Sequence, residues 1–165
     1  MLPMMMVLMM GGAEVGRFVL INQKMDRAAA SMADLVAQEE KMTTATMTGL
    51  FNAVSPTMTP FTMGSSGVMI VSAIGLSGTT PKVLWQRKGG GSLSVASKIG
   101  VEGGNAALPT GLTLSTGQTL IVAEIVYNFT TLFVPNTYTI GIIENQQLYH
   151  RAFFRPRLGL LDTIT

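Results

Sequence analysis

Hydrophobic and polar positions divide this chain sharply. Residues 1–12 read MLPMMMVLMMGG and carry no charge. Without a break they run into AEVGRFVLINQKMDRAAASMADLVAQEEKM, where Phe18, Ile21, Met25, Ala28, Met32 and Leu35 recur in alternating steps of three and four. That spacing keeps one narrow side of a helix apolar. Gln23, Lys24, Arg27, Asp34 and Gln38 fall on its other sides. The pattern predicts a helix to about Lys41, where Thr43, Thr44 and Thr46 end it, and a continuous helix over 14–41 would be a rod of roughly 40 Å. Such a stripe either packs on the chain's own sheet or, nearer a membrane, against copies of itself in a filament. One helix can do both along different halves.

The apolar front is a dozen residues, whereas a spanning helix needs about 20. No basic region precedes it and no small-residue cleavage site follows, so it does not read as a signal peptide. The expectation is that it belongs to a longer hydrophobic segment, buried among lipids or sister molecules. Beyond the stalk the period changes. Residues 47–54 (MTGLFNAV) read as a short helix stopped by Ser55-Pro56. Residues 68–74 (VMIVSAI) form a strand apolar on both faces, and 75–81 a loop leading to a second strand at 83–88, together a hairpin. Residues 89–116 are Gly-rich and loop-like. The strongest strand is 119–129 (TLIVAEIVYNF), and a last one covers 149–154. The sum is α+β: a hydrophobic helix and stalk over 1–41, packed on the antiparallel sheet of a β-rich head over 42–165.

Composition narrows the function classes. Charged residues make up 12% of the chain, about half the usual share in soluble proteins. With no cysteine, disulfides, thiolate metal sites and cysteine nucleophiles are excluded. The formal net charge of +2 comes from scattered basic residues and not from the clustered face that nucleic acid requires.

Few residues suggest chemistry. On the 119–129 strand, alternation puts Ile121, Ala123, Ile125, Tyr127 and Phe129 on one face, apolar enough to cover the helix. The other face carries Leu120, Val122, Glu124, Val126 and Asn128. A carboxylate among branched apolar side chains needs a partner, and Arg87, Arg151 and Arg155 are the available cations, so Glu124 is expected to pair with an arginine. Glu14 and Arg17 sit three apart and can pair along the helix. That pair either marks where the helix leaves the bilayer or leaves Glu14 to neutralise a charge on a neighbouring subunit. His150, the sole histidine, lacks the company of a metal site. The glycines at 89–104 lack the lysine and spacing of a nucleotide loop, and no serine stands in a Gly-x-Ser-x-Gly elbow. No cofactor and no enzyme activity is expected.

Taken in order, several segments resemble one family. Leu2-Pro3 and the apolar run, followed by GAEVGRFVLINQKMDRAAASMADLVAQ, are similar to the N-terminal region of TadE/TadG-like pseudopilins of the bacterial tight-adherence pilus system. Further matches are Trp85-Gln86-Arg87, Ser97-Lys98-Ile99-Gly100, the strand from Leu120 to Tyr127, Thr131-Leu132-Phe133, and Phe154-Arg155-Pro156-Arg157. The resemblance implies a precursor held in the inner membrane, cleaved by a prepilin peptidase and passed by the assembly machinery into or onto a type IV-like pilus. It also implies a final place in the periplasm, on the cell surface or in an extracellular filament, with copies of itself or other pilins as partners. A membrane-tethered adhesion module without a filament role is the alternative. An exposed aromatic cluster would favour it, but residues 89–116 carry no aromatic side chain.

Overall fold

A computed structural model of the protein describes residues 2–132 and 145–165. The chain opens with one unbroken helix, α1 (Leu2–Gln38), followed by α2 (Thr44–Val54) and a 3-10 turn (Ser55–Met58). Four strands come after it: β1 (Gly67–Ser77), β2 (Thr80–Gly89), β3 (Thr119–Phe129) and β4 (Gln146–Phe154). They form one sheet in the order β2-β1-β3-β4, antiparallel at every pairing. The α+β arrangement expected from the sequence is the one observed.

Local signals explain most of the boundaries. Thr43 caps α2, its hydroxyl accepting from the Thr46 backbone N–H at 3.0 Å, which satisfies one of the donors a helix start leaves open. The expected loop at 75–81 is tighter than the pattern suggests. Ser77 pairs with Thr80, so Gly78 and Thr79 alone make the turn, and Gly78 takes the positive φ that a two-residue hairpin turn demands. The last strand begins three residues before its apolar signal, because Gln146, Gln147 and Leu148 continue the ladder with β3.

The sheet is dry on both sides. On one face α1 lays Ile21, Met25, Ala28, Ala29, Met32, Ala33 and Val36 against Ile121, Ala123, Ile125, Tyr127 and Phe129. On the other, the long segment between β2 and β3 lies over the sheet without regular structure. Its Ile99, Ala106, Leu108, Leu112 and Leu114 pack on Ile74, Val83, Leu120 and Val122. Leu93 and Val95 pack on Val68, Ile70 and Val126. Entry to this segment is tight: a Cβ on Gly91 would stand 2.1 Å from the Gly67 carbonyl oxygen, so the backbones meet where only glycine fits.

The tail after β4 closes the molecule. Arg157 donates its backbone N–H to Ala37 O at 2.9 Å and its guanidinium to Asp34 at 2.8 Å, covering the end of α1. Ile164 then bridges to Met42, and the Trp85 indole N–H donates to Leu161 O at 2.8 Å.

Candidate functional site: the first helix and the groups that lock it

Helix α1 has two halves that the same backbone joins. From residue 21 onward its apolar stripe is sealed in the head. Ile21, Met25, Ala28 and Met32 have no exposed surface, while Phe18 and Leu35 are half-buried against the same core. Of the two placements the spacing allowed, these four take the chain's own sheet, and Phe18 and Leu35 lean on the same core. The side chains of Ile21, Met25, Ala28 and Met32 are closed to a second molecule by their own head, while Phe18 and Leu35 keep part of their surface exposed. The surface left open is the preceding one. The side chains at 4–10 are 45–75% exposed although all are Met, Val or Leu, and Val15, Val19 and Leu20 are exposed as well. By length and composition α1 is apolar enough to cross a membrane.

Glu14 locks the upper part of this helix to the head. It is 1% exposed, receives the Arg17 guanidinium at 2.6 Å, and accepts the Leu132 backbone N–H at 3.0 Å. Arg17 in turn lies over the Phe129 ring, 5.4 Å from its centroid, and Phe18 meets the same ring edge-on at 5.5 Å. Glu14 thus has its charge met within its own chain and holds the corner after β3 against the helix. Phe133, the last residue of one of the resembling segments, lies outside the described residues, as does Met1.

Lower down, His150 of β4 clasps the helix. Its Nδ1 lies 2.5 Å from an Asp26 carboxylate oxygen and its Nε2 2.9 Å from the Asn22 side-chain oxygen. The Asn22 amide is oriented by its own donation to Phe18 O at 2.7 Å.

Glu124 has no exposed surface, and among the described residues no arginine forms an ion pair with it. Its Oε1 accepts the Lys98 backbone N–H at 2.9 Å and the Tyr149 hydroxyl at 2.8 Å, and its Oε2 accepts the Ser97 hydroxyl. Arg87 pairs instead with Glu102 at 3.1 Å. Arg151 stands opposite Glu124 in the ladder but extends over the Phe153 ring. Arg155 makes no ion pair among the described residues. The expected arginine partner is thus replaced by two hydroxyls and a backbone amide. They supply both carboxylate oxygens with the hydrogen-bond partners that a buried polar group requires. Burial, reinforced by the Glu124 carboxylate, pushes the Tyr149 phenol well above its ordinary value, with Arg151 partly opposing.

The cluster pins the covering segment: Ser97 also accepts the Ile99 N–H at 3.1 Å, and Lys98 sets its ammonium 4.2 Å from the Tyr149 ring centroid. Sequence reasoning overlooked the partners and the cover they belong to. One signal was present: strands apolar on both faces require a second layer, and Leu93, Val95, Ile99, Leu108, Leu112 and Leu114 were the apolar residues to supply it. Among the described residues, no three or more His, Cys, Asp or Glu side chains gather as a metal site would need.

The chain matches no protein-family model, and neither the curated proteins nor the solved structures give a match.

Proposed function

We propose that this chain is a pilin-like structural subunit, held in the inner membrane through the front of α1 and then incorporated into or onto an extracellular pilus or filament. The observation that carries the proposal is the division of one continuous helix. Its front half offers Met, Val and Leu to the surroundings while its rear half is the core of a folded head. Burying that front is favourable at about 25 cal/mol per Å² of apolar surface. In lipid the gain comes on insertion, and packing of adaptable side chains governs contacts between helices there. Methionine suits both settings, since its unbranched side chain fills irregular gaps. The resemblance to TadE/TadG-like pseudopilins points the same way, with copies of the chain or other pilins as partners and no catalytic role.

Membrane fractionation combined with electron microscopy of sheared surface material tests the proposal. The chain should need detergent for extraction from cells and should label filaments in the sheared fraction. Detergent-extracted monomers with no filament label would favour the tethered adhesion module. A freely soluble monomer would remove both.

A further inference from the structure

Two boundaries on α1 do not coincide. The head begins at Glu14, where the Leu132 N–H and the Phe129 ring reach the helix. The exposed apolar band does not end there. On the side away from the head it continues through Val15, Gly16, Val19 and Leu20, and the next exposed positions are Gln23, Asp26 and Arg27. Over residues 14–20, a rise of roughly 10 Å, the helix has the head on one side and an open apolar surface on the other.

We infer, on the premise that α1 anchors the chain as proposed, that the occupant of this face is the bilayer itself, and that the corner after β3, carrying Leu132, is submerged at the lipid interface. Three observations carry the inference. First, the far face over 14–20 is continuous with the exposed side chains at 4–10, so one apolar band runs unbroken to Leu20. Second, the single acidic group within that band is closed off. Glu14 turns toward the head and is neutralised by Arg17 and the Leu132 amide, so no naked carboxylate meets hydrocarbon. Third, the head reaches the same level: Leu132, whose backbone N–H Glu14 accepts, sets its exposed side chain beside the apolar band of the helix. Arg17, its side chain 27% exposed and its guanidinium over Phe129, is the one Lys or Arg among residues 2–20 of the helix. A long stem of this kind extends its charge toward the phosphates while its methylenes stay in the apolar layer. The Glu14–Arg17 pair accordingly lies inside the membrane layer and does not mark its edge.

The chain has no cysteine, so single-cysteine variants of the full chain can each carry one environment-sensitive fluorophore. Leu8→Cys, Val19→Cys, Leu132→Cys and Thr79→Cys, all at exposed positions, would be reconstituted into phosphatidylcholine–phosphatidylglycerol vesicles. Quenching by nitroxide-labelled lipid is compared with quenching by aqueous iodide. The inference expects lipid quenching at positions 8, 19 and 132, and iodide quenching at 79, in the turn at the opposite end of the sheet. Lipid quenching at 8 with iodide quenching at 19 and 132 would overturn it while leaving the anchor intact. Protection of position 19 from both quenchers would also overturn it, because a protein partner then covers that face. Iodide quenching at 8 would show that the anchoring premise itself fails.

Discussion

At Glu124 a carboxylate is withdrawn from water and met by three donors from two segments far apart in the chain. Each donor left without its acceptor in a buried site costs about 1–3 kcal/mol. Glu124→Ala should therefore lower unfolding free energy by at least about 3 kcal/mol in denaturant titrations, and Glu124→Gln, which keeps one acceptor oxygen, by about half as much. Equal stability of both variants and wild type would show that the covering segment is held by other means. Tyr149 gives a pH test. Its phenol is raised above 10.0 in the folded chain, chiefly by burial, so the folded state keeps a proton that the unfolded chain releases. The stabilisation is intact below about pH 10 and declines as pH rises beyond it. Tyr149→Phe should have a flatter alkaline limb in a plot of stability against pH. Burial raises Tyr127 in the same direction against the opposing Arg17 charge, so part of the slope should survive. The sequence disclosed that Glu124 needed a partner, since a carboxylate between Val122 and Val126 could not stand alone. It did not disclose which, because cations are conspicuous in a sequence whereas every residue brings a backbone N–H.

Elements were more legible than single contacts, and helix α1 shows where legibility stopped. Its stripe from Phe18 to Leu35 was plain from spacing, yet spacing alone does not distinguish a face packed on the chain's own sheet from one packed on another molecule. Burial makes the distinction testable. Met32→Ala, at a site with no exposed surface, should destabilise the head by about 2–5 kcal/mol. Met9→Ala, 75% exposed, should leave head stability within about 0.5 kcal/mol of wild type while weakening retention in vesicles. The segment between β2 and β3 was read as a loop, which it is. Its role as the sheet's second cover was hidden because its apolar residues follow no helical or strand period. Gly91→Ala should expose that role: the added carbon collides with the Gly67 carbonyl, and neither backbone can yield without lifting the cover. Thermal unfolding should shift down, with faster hydrogen exchange in β1 and β3.

For the molecule as a whole, the shared core of helix and sheet followed from two amphipathic patterns that had to meet, whereas the strand order β2-β1-β3-β4 was not written in them. The tail was not foreseen, because residues 155–165 carry no periodicity and are held by separate contacts: backbone hydrogen bonds, the Arg157–Asp34 pair and the buried Leu161. Removing residues 2–13 should leave a head that dissolves without detergent and melts at an unchanged temperature, since side chains at 4–10 contribute nothing to its core. A lower melting temperature would mean that the front of α1 supports the head directly. The tail adds a consequence of its own. The chain's single tryptophan is 1% exposed and donates its indole N–H to Leu161, so its ultraviolet emission is a built-in gauge of whether the carboxyl-terminal strap is seated. Any event that peels the strap away first would redden that emission while the sheet's circular dichroism stayed constant, separating the release of one end of the chain from the melting of the rest.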